Sequence, residues 1–223
     1  MKIKLIYFIV NIAVCYCQIK YLDENRRGMG FNLSYLNSNE AQSVQLQSGF
    51  SMNKQMSIGM FYERGLSPKL NGLGVYLEGM FIRPTQTFPL GTNLSLSYAH
   101  SWFEKTESYY LTIYGNHPSQ NQTISAGDII KYRGQHYGIS VAEYFLYAFN
   151  EYFSIIPTIQ LQHNYINISS VSFKGKSELN AWQGSVDMLF RVDDKYKIVL
   201  SPMIQLISDK SSFIFSVSFI SQK

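Results

Sequence analysis

Apolar and polar side chains alternate with a period of two along much of the chain between residues 29 and 219. The alternation is clearest in segments 44–52, 94–102 and 213–219, where Leu, Phe, Tyr and Val on one parity face Ser, Gln and Gly on the other. A period of two places the two sets on opposite faces of a β-strand. No helical period of useful length competes with it. The pattern therefore predicts an all-β chain.

Several further segments show the same pattern. They are 29–36, 56–62, 73–82, 109–114, 137–149, 153–165, 182–192 and 198–207. Many exceed the 5 or 6 residues of an ordinary globular strand and approach the 9 to 11 that cross a bilayer at a tilt. A weaker candidate at 123–130 brings the count to twelve strands. Ten strands remain possible if the region 116–133 is an extended loop.

The tight connections indicate which strand ends lie on the same side of the membrane. Short turns are predicted at 53–55, 150–151 and 193–195. Barrels in membranes have an even number of strands, with short turns on the periplasmic side. All three turns fall on one side if twelve strands alternate in direction. We therefore expect a closed, antiparallel, up-and-down transmembrane β-barrel of about twelve strands.

Composition favours a membrane-embedded barrel over a soluble β-sandwich. Charged residues are 15% of the chain, below the roughly 25% of an average soluble protein, and aromatics also reach 15%. The polar strand faces are small and rarely charged, and aromatics cluster toward segment ends, as expected where strands meet lipid headgroups. The net charge of +4 contains no basic block, which gives no reason to propose a nucleic-acid partner.

The first residues have the layout of a cleavable secretory signal. Lys2 and Lys4 precede an apolar run at 5–14, and Cys15 and Cys17 occupy the −3 and −1 positions of a cut before Gln18. The run is too short to span a bilayer as a helix. We therefore divide the chain into a signal at 1–17 and one barrel domain at 18–223. A lipoprotein acylated on cysteine is the alternative.

The signal, the alternating segments and the final strand at 213–219 together resemble the class of Gram-negative outer-membrane β-barrel proteins. Ile220 to Lys223 follow the last aromatic, Phe219, and so depart from the aromatic terminus common in that class. The resemblance implies a location in the bacterial outer membrane. It also implies two partners, outer-membrane lipid and the barrel-assembly machinery during biogenesis. It implies no particular activity.

No nucleotide loop, zinc signature or nucleophile elbow occurs, so no catalytic, cofactor-binding or metal-binding residues are assigned and no cofactor is expected. His136 and His163 could approach each other across a turn, but alternation points them to opposite sides of the wall. Glu78, Asp187 and Arg191 fall on inward faces. These three are the predicted charged lining of the lumen, and Asp187 and Arg191 are each expected to meet a partner on a neighbouring strand or water.

The leading functional hypothesis is an outer-membrane barrel that serves as a narrow channel or as a structural surface protein, and not as an enzyme. The inward residues mix small and large polar side chains, which predicts a narrow, partly occluded polar lumen. The first alternative is a barrel enzyme acting on lipid or peptide at the outer rim. The second is a soluble periplasmic β-barrel binding protein.

Overall fold

The computed structural model describes residues 19–23, 26–39, 41–53, 55–67, 70–85, 87–105, 111–113, 122–124, 130–170, 174–207 and 210–223. These residues form one turn of 3₁₀-helix, η1 (Ile19–Tyr21), followed by thirteen strands. The strands are β1 (Gly28–Asn37), β2 (Gln42–Ser51), β3 (Met56–Ser67), β4 (Asn71–Ile82), β5 (Leu90–Lys105), β6 (Leu111–Ile113), β7 (Gln122–Ile124), β8 (Ile130–Phe145), β9 (Tyr147–Ala148), β10 (Phe153–Ser169), β11 (Lys174–Arg191), β12 (Tyr196–Ile207) and β13 (Lys210–Gln222). In the described part of the chain, no helix is long and apolar enough to cross a membrane.

Ten of the strands close into an antiparallel up-and-down barrel. Their order around the ring is β1, β2, β3, β4, β5, β8, β10, β11, β12 and β13, and β13 pairs with β1 to close it. The two-residue strand β9 continues β8 beyond Leu146 and pairs with the start of β10. At the break between β8 and β9, the Leu146 N–H donates a hydrogen bond to the Pro89 carbonyl. Closure leaves none of these ten strands at an open sheet edge.

The count of ten is the smaller of the two strand numbers that the sequence allowed. Of segments 109–114 and 123–130, the structure describes only residues 111–113, 123–124 and 130. Here β6 and β7 pair with each other in a separate two-stranded sheet, with Leu111 opposite Ile124. The barrel has no place for them because β5 pairs with β8 along its whole 16-residue length. With two strands fewer, each later strand still runs in the direction predicted for it. The three predicted turns therefore still fall at one end of the barrel.

Those three turns share one hydrogen-bonding geometry. The side-chain oxygens of Asn53, Asn150 and Asp193 each accept from the backbone N–H groups two and three residues later, at 2.7 to 2.8 Å. Asn and Asp favour tight turns because their short side chains satisfy backbone donors in this way. The start of β1 and the end of β13 lie at the same end of the barrel, where Arg27 and Lys223 exchange backbone hydrogen bonds. We call this the turn end and the opposite one the loop end.

Alternation sorts the wall residues into an exposed apolar outer face and a buried inner face. Leu46, Phe50, Leu96 and Val186 are 46 to 55% exposed on the outside. On the inside, Gln160, Asp187 and Ser216 are buried, with Asp187 and Ser216 at 0%. Ser95 and Ser97 share the inner face and are half-buried. The predicted assignment of strand faces is confirmed.

The wall is taller on one side. The adjacent strands β5, β8, β10 and β11 have 16, 16, 17 and 18 residues, whereas β1 and β2 have 10 each. The extra residues lie at the loop end, because all four strands reach the turn end in register with their neighbours. The long strands therefore form a raised part of the wall beyond the outward aromatic residues Tyr98, Tyr137 and Tyr165.

Candidate functional site

The middle of the barrel interior is polar and internally hydrogen-bonded. The Glu78 carboxylate accepts from the Ser57 hydroxyl at 2.9 Å and from the Asn93 amide at 3.0 Å. The Asn32 amide donates to Ser218 at 2.7 Å across the β1–β13 seam. Buried polar groups are costly unless they are paired in this way. These bonds tie neighbouring strands together from the inside.

Apolar clusters lie on either side of this polar layer. Toward the loop end the buried set is Leu36, Ala41, Phe61, Leu70, Tyr76, Ala99, Met203 and Ile214. Toward the turn end it is Tyr21, Met80, Tyr144, Ile156, Val199 and Ile220. The interior therefore contains apolar side chains toward both ends, where the sequence predicted a polar lumen.

Large inward aromatics fit because they lie over glycines. Gly59 pairs with Tyr76, and a Cβ atom at Gly59 would come within 2.4 Å of the Tyr76 ring. Gly91 pairs with Tyr144 in the same way, with 2.2 Å to that ring. A side chain at either glycine would collide with the ring. Each glycine thus lets a ring lie against the wall and occupy the lumen.

Several inner-face residues are completely buried by the packing of the interior. Ser201, Gln205, Ser216 and Ser218, on β12 and β13, are 0% exposed. A continuous water-filled path along these strands would give them measurable exposure. On this side the lumen is filled by side chains, as expected of small barrels.

The chain's own residues 19–23, which we call the plug segment, lie inside the barrel at the turn end. Tyr21 is 1% exposed and lies in the apolar cluster at the turn end. The other members of that cluster come from β4, β8, β10, β12 and β13, which are distributed around the ring. The Tyr21 side chain therefore occupies the cross-section of the barrel at this level.

A buried ion pair fastens the plug segment to β11. The Lys20 Nζ lies 2.6 Å from the Asp187 Oδ2, and the two side chains are 5% and 1% exposed. Lys20 also donates to the Thr158 hydroxyl at 3.0 Å, and the Tyr21 hydroxyl donates to Asp187 at 2.9 Å. The ammonium group lies 5.7 Å from the Tyr144 ring centre, within range of a cation–π contact. Asp187 is thus the anchor for two consecutive plug residues.

A second set of charged contacts holds Asp23, the last residue of the plug segment. The Asp23 carboxylate lies 2.7 Å from the Arg191 guanidinium and 2.6 Å from the Lys197 ammonium. It also accepts from the Gln222 amide at 2.6 Å. Burial alone would raise the pKa of the Asp23 carboxyl, but Lys197, Gln222 and Arg191 together outweigh burial and hold that pKa below its usual value. The ionised form of Asp23 is therefore the one that fits the docked segment.

The plug segment is bounded on one side by a cavity of about 440 Å³ at the turn end. The β8–β10 turn, β11, Lys197 and the plug residues line it. Its charged members are Lys20 and Asp23 of the plug segment and Glu151, Arg191 and Lys197 of the wall. This space lies between the segment and the taller side of the wall.

The structure places all three predicted lining residues on the inner face. Glu78 accepts hydrogen bonds from Ser57 and Asn93 on the two neighbouring strands. Asp187 and Arg191 instead meet Lys20 and Asp23 of the plug segment. Arg191 also lies 3.8 Å from the exposed Asp194. That these three residues line a path for solutes stays a prediction.

The three histidines that the structure describes do not form a shared site. His136 is buried on the inner face and its Nε2 lies 2.8 Å from the Ser101 hydroxyl, while His163 is outside and contacts the Asn180 amide oxygen. His100 stacks on Trp102 in the outer aromatic belt. Among the residues that the structure describes, no three His, Cys, Asp or Glu side chains are grouped to hold a metal ion.

Comparison with solved structures defines the fold class. The translocator domain of the autotransporter NalP from Neisseria meningitidis superposes with a TM-score of 0.54 at 6% identity, covering 89% of each chain. The fold is that of an outer-membrane β-barrel. Ail of Yersinia pestis has a TM-score of 0.44 at 12% identity and covers 90% of this chain and 100% of its own. The KdgM porin has 0.40 at 9%, covering 85% and 98%.

Only the first of these three TM-scores exceeds 0.5, and at 6% identity it indicates a shared fold and nothing about activity. No protein-family model matches the chain. No curated protein is similar to it. The function of this outer-membrane β-barrel must therefore be inferred from its own interior and surfaces.

The plug segment is the part of the barrel that sequence reasoning missed. Its signal is present in the sequence: Lys20 and Asp23 flank Tyr21 and Leu22, just after the expected signal cleavage site. Two opposite charges around an aromatic and an aliphatic side chain, ahead of the first strand, indicate a segment that can be buried. Their partners lie on the last three strands, where alternation alone gives no pairing.

Proposed function

We propose that this barrel resides in the outer membrane as a structural surface protein whose lumen is closed at rest by its own N-terminal segment. The observation that carries the proposal is Tyr21 buried in the turn-end cross-section, with Lys20 paired to Asp187 beneath the polar layer. The turn end then faces the periplasm, as short turns do in barrels of this type. A signal cut before Gln18 would leave the plug segment at the start of the mature chain.

The outer face supports the membrane location. On β5 the outward residues between Leu90 and Tyr98 are Thr92, Leu94 and Leu96, and none of them is charged. Eight residues at about 3.3 Å each span about 26 Å along the strand. At a tilt near 40° this is about 20 Å of height, close to the apolar band of known membrane barrels. Lipid would cover this band, and the barrel-assembly machinery would insert it.

Planar-bilayer recording of the purified, detergent-extracted protein tests the proposal. We expect silence or brief openings of low conductance, because side chains fill the lumen beside β12 and β13. Steady conductance of porin size would refute a closed resting state. Extraction without detergent as a soluble monomer would refute the membrane location and favour a soluble binding protein.

An enzyme at the outer rim remains the alternative. The Ser101–His136 pair has the right chemistry for a nucleophile and base, but both side chains are 2% exposed on the inner face. A substrate at the rim could not reach them in this arrangement. Lipid or peptide hydrolysis that is lost in His136→Ala, with the barrel still folded, would reverse this judgement.

A further inference from the structure

The raised part of the wall carries a cationic surface just beyond the outer aromatic belt. Arg133 on β8 and Lys174 and Lys176 on β11 are all exposed. In the described part of the chain, no carboxylate forms an ion pair with any of the three. We call these residues the basic triad. Lys131, also exposed, is the next outward residue of β8 beyond Arg133.

Strand register places the triad around a small polar centre. Ser169 of β10 is paired with Arg133 on one side and with Lys174 on the other. Two strand spacings separate Arg133 from Lys174, which is about 10 Å between Cα atoms. Lys176 lies opposite Asn167, one outward position closer to the membrane. A hydroxyl and an amide thus lie between three cations, and the gap is of the size of a phosphate group with its ester oxygens.

Lys176 lies at the height of the lipid headgroup layer, and Arg133 and Lys174 lie just above it. Tyr98, Tyr137 and Tyr165 form one row of the outward aromatic belt. Lys176 lies about 7 Å above this row along the strand, and Arg133 about 13 Å. With the tilt of barrel strands these become heights of about 5 and 10 Å. The headgroup region is about 5 to 8 Å thick on each side of a bilayer, and long basic side chains bend toward it.

We propose that Arg133, Lys174 and Lys176 bind the phosphate groups of anionic lipid in the leaflet that surrounds the loop end. The inference rests on the proposed membrane location. The triad is continuous with the lipid-facing band below it, so a lipid that packs on Tyr137 and Tyr165 brings its headgroup to the cations. Glu178, the next outward residue of β11, lies below Lys176 beside Tyr165 and limits the surface on the membrane side.

The test is native mass spectrometry of the purified barrel in mixed micelles. The micelles contain neutral phosphatidylcholine with equimolar phosphatidylglycerol or diphosphoryl lipid A. We expect the wild-type barrel to retain the anionic lipid preferentially. Each cation removed should lower that preference about fivefold, so the triple variant Arg133→Gln, Lys174→Gln, Lys176→Gln should lose about a hundredfold.

Arg64→Gln is the matched control. Arg64 is exposed on β3, near the opposite side of the ring, and lies one outward position above Tyr62. It should bind anionic lipid as the wild type does. Loss of preference in Arg64→Gln equal to that in Arg133→Gln would overturn the proposal, because net charge alone would then be responsible. Retained preference in the triple variant would also overturn it.

Two further outcomes separate the possible sources of failure. Binding of inorganic phosphate or a sulfated oligosaccharide in neutral detergent, without preference for anionic lipid, would overturn the lipid assignment and leave the closed barrel intact. Heat-dependent gel mobility reports barrel folding in each sample. A chain that forms no heat-stable barrel in bilayers of either composition would refute the proposed function and this inference with it.

Discussion

The buried Lys20–Asp187 pair allows a sharp test of the plug. Asp187→Asn keeps the size and shape of the side chain but removes its charge. The Lys20 ammonium then lies in the interior, and its remaining contacts are the Thr158 hydroxyl and two aromatic rings. The two native side chains are 5% and 1% exposed, so solvent cannot compensate while the segment stays docked.

The magnitude follows from the burial. Removing one partner of a buried ion pair costs about 3–5 kcal/mol, because a charge is left uncompensated. Since about 1.4 kcal/mol changes an equilibrium tenfold, docking of the plug segment should weaken by roughly a hundredfold to several thousandfold. The undocked segment returns Lys20 to water and avoids the cost. The variant should therefore shift the segment outward and leave the wall folded.

Amine labelling measures this shift. An N-hydroxysuccinimide ester reacts with exposed lysines, and peptide mass spectrometry gives the rate at Lys20. We expect slow labelling in the wild type and a rate in Asp187→Asn that approaches that of exposed Lys195 at the same end of the barrel. Asp194→Asn is the control, because it makes the same chemical change at a carboxylate whose side chain is 86% exposed. Equal, slow labelling of Lys20 in both variants would refute the role of the pair.

Three other predictions concern processing, the strand faces and pH. Intact mass spectrometry of the exported protein should give a start within a few residues of Gln18; an intact N-terminus or an acylated cysteine would contradict it. Leu96→Arg should cost about 2–4 kcal/mol in a bilayer unfolding assay, and Ser97→Arg much less, because only the first puts a charge into lipid; equal costs would contradict the face assignment. Asp23 has a lowered pKa, so its contribution to docking is complete above the ordinary carboxyl pKa of about 3.9 and is lost as pH falls through the lowered value. Hydrogen exchange of residues 19–23, corrected for intrinsic rates, should show release below pH 4 in the wild type, and Asp23→Asn should abolish this pH dependence.

Local patterns predicted the wall well. The faces of β5 followed from Leu96 and Ser97 because side chains two apart must share a face whatever the strand pairs with. The turns followed from Asn53, Asn150 and Asp193 because an Asx side chain satisfies donors within its own turn. Both kinds of information lie within a few residues of each other in the chain.

Long-range pairing was beyond reach of the same reasoning. Segments 109–114 and 123–130 alternate like wall strands, and only the direct pairing of β5 with β8 excludes them from the ring. The plug depends on contacts such as Tyr21 with Asp187, which are 166 residues apart in sequence. The sequence indicates that a buried Asp187 needs a partner. It does not indicate that this partner lies before the first strand.

The seam between β1 and β13 sets an order of events in biogenesis. Ten residues of the first strand pair with the last one, so the ring cannot close until nearly the whole chain is delivered. Asp23 then binds Gln222 and Lys197, which belong to the last two strands. Complete docking of the N-terminal segment thus requires that the last two strands are in place. A chain that stalls before β13 would keep both an open edge and a loose N-terminus, two features by which quality control could recognise it.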